Sequence, residues 1–188
     1  MELTAIGWKT TFAAMPSEEI RLAILSPEQA RDALARIAEK EIGVCEIGGN
    51  NRGPRVREYQ SATWTDPGVW PWCAALVAWC IREWLSAPSV KAVVHFHRPR
   101  TTGAFDFIRW AKDEGLQVLG ENEPCRRGDI VVFDFSHIGL VTADSERGEI
   151  EACEGNTNGK GERDSESGDG VWRKYRARSL VKAFIRLV

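Results

Sequence analysis

A change of period between Gly115 and Asp129 constrains this chain more than any other feature of its sequence. Before it, apolar residues recur at helical spacing; after it come short runs rich in β-branched and aromatic residues. Helices first and strands afterwards predict an α+β domain, N-terminal helices packed on an antiparallel β-sheet, rather than regular strand–helix alternation.

The helical half has clear punctuation. Ser26-Pro27-Glu28-Gln29 supplies a cap hydroxyl, a proline at the first helical position and a capping-box Gln, and Ala30, Ala33, Leu34, Ile37 and Ala38 follow at helical spacing towards Gly43. Gly48-Gly49-Asn50-Asn51-Arg52-Gly53-Pro54 reads as an irregular loop. From Trp72 the run PWCAALVAWCIREWL turns helical, with Pro71 suited to the first turn and Leu76, Val77, Cys80 and Trp84 as the apolar stripe. A third helix is expected within GAFDFIRWAKDEG, stopped by Gly115. Strands are expected over Asp129–Phe135, Ile138–Ala143, Ile150–Glu154, Val171–Tyr175 and Val181–Val188, with a polar loop from Gly155 to Gly170. Residues 1–25, including SEEIRLAIL, read as an N-terminal extension, and 26–188 as one domain, since 188 residues suffice for one buried core.

Charge excludes some functions. Lys and Arg number 25 against 27 Asp and Glu, a formal net charge of -2, which gives no electrostatic reason to expect nucleic acid or an anionic membrane. The N-terminus lacks the basic start and apolar core of a signal peptide, and no apolar run is long enough to span a membrane. The expectation is a chain made in the cytoplasm, a monomer with no membrane insertion.

Five cysteines, Cys45, Cys73, Cys80, Cys125 and Cys153, form no CxxC or CxxxC pair, which argues against a zinc or iron–sulfur site; the lack of a secretion signal favours reduced thiols, each either a small buried hydrophobe or a nucleophile. Cys73 stands out because it lies at a predicted helix start. Free N–H groups and the positive dipole end there favour a thiolate and offer an oxyanion donor, although a core cysteine beside tryptophans fits the same position. Cys80, two turns further on, reads as packing. Of three histidines, His95 and His97 fall in a loop with no third metal ligand evident, whereas His137 begins a strand in DFSHIGLV, with Gly139 permitting close approach. A third group must orient the imidazole. Glu154 and Asn156, two residues apart at a strand end, would share a face if the strand continues, and either one could serve.

Taken together, EIGGNNRGPRVREYQ, PWCAALVAWC, GDIVVFDFSHIGLV, EGNTN and GVWRKYR…FIRL resemble, in order and spacing, the CHAP family of cysteine, histidine-dependent amidohydrolases/peptidases, relatives of the NlpC/P60 enzymes. That resemblance implies a papain-like fold and peptidoglycan as substrate, cut as an N-acetylmuramoyl-L-alanine amidase or an endopeptidase. It places the nucleophile on Cys73, the histidine on His137 and the orienting positions on Glu154 and Asn156. In the GGNN block, Asn50 and Asn51 are either hydrogen-bonding groups for the peptide stem or part of a tight loop. Trp70 and Trp72 are candidate groove walls, Trp72 equally a core residue; Tyr59, Arg57 and Asp134 are weaker subsite candidates. No cofactor is expected, and calcium is disfavoured because the loop just ahead of the cysteine helix offers only Asp66 as an acidic ligand.

An endolysin working with a holin, or an injected antibacterial effector paired with an immunity protein, would both bring such a chain to the cell wall. A catalytically silent wall-binding module and a thiol hydrolase of soluble peptides are the readings from other classes.

Overall fold

The computed structural model describes residues 25–160 and 168–188. The expected N-terminal extension and its SEEIRLAIL segment lie outside them, apart from Leu25. Among the described residues five α-helices, α1 (Pro27–Glu39), α2 (Pro54–Gln60), α3 (Cys73–Trp84), α4 (Pro88–Lys91) and α5 (Asp106–Asp113), precede six strands. The strands are β1 (Gln117–Leu119), β2 (Ile130–Phe133), β3 (Ile138–Val141), β4 (Ile150–Thr157), β5 (Gly170–Arg176) and β6 (Val181–Arg186). They form one antiparallel sheet in the order β1-β6-β2-β3-β4-β5. The α+β architecture is the one expected.

Local chemistry explains the elements. Ser26 and Gln29 close a reciprocal capping box on α1, as expected. Alternate residues of the strands serve two cores. Ile130, Val132, Ile138, Leu140, Cys153 and Ile185 join the helices in the larger cluster. Val131, Phe133, Val141, Ile150, Ala152 and Phe184 form a second cluster. Arg127 ties α1 to the sheet through Asp32 (2.8 Å) and Glu39 (2.6 Å).

Two expectations need correction, and two short elements, α2 and β1, carry no period in the sequence. α3 begins at Cys73 with Trp72 as its cap, so Pro71 precedes the helix instead of opening it. α2 follows the GGNN loop directly; its seven residues, with only Val56 and Tyr59 as buried apolar side chains, were too few to show a period. β1 is only three residues long and escaped notice for the same reason. The expected Gly155–Gly170 loop is shorter, because β4 runs on to Thr157 and β5 starts at Gly170. The extended ends are held across the sheet by the pairing of Thr157 with Gly170 and by Asp169 N–H donating to Thr157 O at 2.8 Å.

Candidate active site

The thiol is positioned from the α2–α3 side. Gln60, the last residue of α2, is fully buried, and its amide pins the loop ahead. Its Nε2 donates to the carbonyls of Gly68 (2.9 Å) and Trp70 (3.1 Å), and its Oε1 accepts from the Gly68 N–H (3.0 Å). Trp72 then turns inward, stacked on Tyr59 with ring centroids 5.5 Å apart, its indole N–H donating to Glu46 at 2.8 Å. The chain enters α3 at the next residue, Cys73. N–H groups of a first helical turn have no intrahelical acceptor and stand at the positive end of the dipole, so those around Cys73 are available donors. Cys73 is 7% exposed, at a cleft of about 480 Å³ lined by Trp70, Pro71, Thr102, Ala104 and Ser136.

The imidazole comes from the sheet. Phe133 N–H donates to His137 O at 2.8 Å, closing a three-residue hairpin between β2 and β3 in which Ser136 takes a left-handed conformation (φ 59°). The His137 ring stacks on Phe135 at 5.7 Å and 10°. Its Nε2 lies 3.0 Å from Glu154 Oε2 and, the carboxylate being acceptor only, donates to it. Nδ1 is the nitrogen turned away from Glu154, and the nearby Cys73 sulfur favours the ring's cation.

Two glycines make this convergence possible. Gly139 pairs directly with Glu154 across the sheet, and a Cβ there would come within 2.8 Å of Glu154 Cγ. At Gly155 a Cβ would meet Leu76 and Trp72 at 2.7 Å, so its absence lets β4 press against the start of α3.

Arg176 completes the arrangement and was missed from sequence. Its Nη2 lies 2.6 Å from Glu154 Oε2 and its Nε 3.1 Å from Oε1, with Arg176 3% exposed and Glu154 0%. Burial disfavours the Glu154 anion, but hydrogen bonds from His137 and Arg176 outweigh that and hold its pKa below the usual value. Burial likewise disfavours the His137 cation; the Cys73 sulfur and the Glu154 carboxylate overcome it and push the pKa up to about 9. The result is an unusually basic imidazole near a thiol at a helix start, backed by a paired carboxylate. Such an array can take the thiol proton, hold an imidazolium and protonate a leaving group.

The remaining expected site residues fall as follows. Asn156 lies beyond Glu154 where the β4–β5 register shifts, with φ 54°, so the two do not share a simple strand face. Trp70 lines the thiol cleft, whereas Trp72, at 0% exposure, is core and offers no groove wall. Tyr59 is also core, its hydroxyl donating to Glu41 at 2.6 Å, which removes it as a subsite wall. Asn50 is exposed; Asn51 is buried and, with Arg57, lines a neighbouring cleft. Asp134 is exposed in the hairpin. His95 and His97 are exposed, His97 lying 3.3 Å from Glu114. Cys80, Cys125 and Cys153 are buried thiols whose pKa values burial raises, that of Cys153 to about 12, while Cys45 is exposed. Among the described residues no group of three His, Cys, Asp or Glu could hold a metal ion.

Comparison with known proteins agrees with the resemblance read from the motifs. Residues 64–156 match the family model described as the CHAP domain, a span containing Cys73, His137, Glu154 and Asn156. No curated protein matches the chain.

Proposed function

The chain carries a CHAP domain, a fold of the amidase/peptidase hydrolases, and from that premise we propose that it cuts an amide bond in the peptide of bacterial peptidoglycan, with Cys73 as nucleophile. The observation that carries this reading is the buried His137–Glu154–Arg176 array, with the Cys73 sulfur near its imidazole at the start of α3.

His137 takes the Cys73 proton, and the sulfur attacks the amide carbonyl. The oxyanion is held by first-turn N–H groups of α3. As the tetrahedral intermediate collapses, the His137 imidazolium gives its proton to the departing amine, leaving a thioester. Water activated by the same imidazole hydrolyses it, releasing the carboxylic acid and free thiol. Glu154 keeps the ring oriented and stabilises its cationic form; Arg176 acts through Glu154 as a positioning residue. The cleft beside Trp70 and Ser136 receives the peptide.

An endolysin role, with release through a holin, is the biological setting we favour. An injected effector neutralised by an immunity protein needs two dedicated partners and comes second. Digestion of purified sacculi by the wild-type protein and by Cys73→Ala, with mass spectrometry of the fragments, tests the reading. New amine and carboxyl ends made only by the wild type would support it and name the bond. Intact walls of several peptidoglycan types in both digests would overturn it.

A further inference from the structure

The segment that delivers Cys73 lines two clefts. Trp70 and Pro71 line the one with the thiol; Gly68 and Val69 line a second, of about 610 Å³. The second cleft has apolar walls in Ile47, Pro54 and Val69, and its polar lining is Asn51, Arg52 and Arg57, with no Asp or Glu among the described residues.

The arginines of this region differ in how they are used. Arg55, between Arg52 and Arg57, is tied to Glu41 at 2.6 Å and to Glu58 at 2.5 Å. The side chains of Arg52 and Arg57 are exposed and have neither a hydrogen bond nor an ion pair with any described residue. Asn51 adds a second, independent sign. It is 9% exposed, is held in a left-handed conformation at φ 57°, and its Oδ1 has no hydrogen-bond partner among the described residues. A buried amide oxygen left without a donor costs stability that an entering N–H would restore once the terminal amide turns towards it.

We propose that this cleft is a carboxylate subsite for an acidic peptide, with Arg52 and Arg57 taking the free carboxylate and Asn51 accepting an adjacent amide N–H. Guanidinium groups match a carboxylate in both charge and planar geometry. The proposal rests on the wall-hydrolase reading and deepens it. Stem peptides carry a γ-linked glutamate whose α-carboxylate is free in some walls and amidated in others. Binding of that carboxylate beside Gly68–Val69 would set which amide lies over Cys73, four residues further along the chain.

The test uses Cys73→Ala protein, which cannot turn substrate over, and two probes: the tripeptide L-Ala-γ-D-Glu-L-Lys and the same peptide with the glutamate α-carboxylate amidated. Titration calorimetry is expected to show the free acid binding about tenfold or more tighter than the amide, the scale of one charge-assisted hydrogen bond. Adding Arg52→Gln and Arg57→Gln together should erase that preference, and thermal unfolding should confirm the fold, since neither side chain has a protein partner to lose. Equal affinity for the two probes, no binding of either, or a preference that survives the double substitution would each overturn the subsite. Sacculus digestion by the wild type is read in parallel. Digestion without a preference removes the subsite and leaves the hydrolase; a preference without digestion keeps a site for acidic peptides and removes the wall as substrate.

Discussion

The two halves of the candidate site are built on opposite principles. On the sheet side, His137, Glu154 and Arg176 are 5%, 0% and 3% exposed, and every charge faces its opposite. On the loop side, between Ile47 and Trp70, Ile47 and Val69 are exposed apolar residues, and among the described residues Arg52 and Arg57 have no side-chain partner and Asn51 Oδ1 no donor. The sheet side is finished without a ligand; the loop side is not. Such a division suits a hydrolase, whose proton-transfer groups must be fixed before substrate arrives, while its recognition surface is completed by the substrate itself.

Breaking the sheet side should therefore cost most. Arg176→Ala leaves the buried Glu154 carboxylate with His137 as its remaining counter-charge, and breaking one buried ion pair costs roughly 3 kcal/mol. Denaturant unfolding should show that loss, with activity falling further as His137 loses its fixed partner. The same pair predicts acid sensitivity. Because folding lowers the Glu154 pKa, its contribution is present above the unfolded value near 4.5 and is lost as pH falls through the folded value.

Next in size is the pH dependence of turnover. His137 is raised to about 9, so its imidazolium persists through neutral pH and is lost above that value. The kcat/KM profile should fall on its basic side near pH 9, because a neutral imidazole cannot protonate the leaving amine. Glu154→Gln removes one of the groups that raise the pKa, and should move that limb towards neutral pH. A limb that stays in place would mean that Glu154 does not govern the histidine.

The loop side should respond more mildly. Gln60→Ala removes three hydrogen bonds to Gly68 and Trp70, costing about 1–3 kcal/mol for the polar groups left unpaired. The expected kinetic sign is a raised KM for muropeptide substrates, as the wall shared by the two clefts loosens.

What could be read from the sequence follows the same division. Cys73 and His137 sit at the starts of regular elements, and Glu154 within a strand, whose period and punctuation are local, so their placement was legible, as was the capping box of α1. Arg176 was not. In β5 neither alternating set, Val171, Arg173 and Tyr175 or Trp172, Lys174 and Arg176, is plainly apolar, so nothing local says which side is buried. Trp72 and Tyr59 look like surface aromatics beside a nucleophile, yet they stack on each other in the core because α2 packs on α3. The β4 bulge at Asn156 is likewise set by pairing with β5, not by its own residues.

Competition between two thiols of this one chain is the most direct test of the central claim, that His137 and Glu154 make Cys73 a nucleophile. Cys45 is exposed, whereas Cys73 is only 7% exposed, so accessibility alone favours Cys45. At about pH 6 an ordinary thiol, with a pKa of about 8.5, is almost wholly protonated and reacts slowly. With limiting iodoacetamide and peptide mapping at that pH, Cys73 should be labelled well before Cys45, and His137→Ala should abolish the lead. Labelling of Cys45 first, in both proteins, would contradict the account.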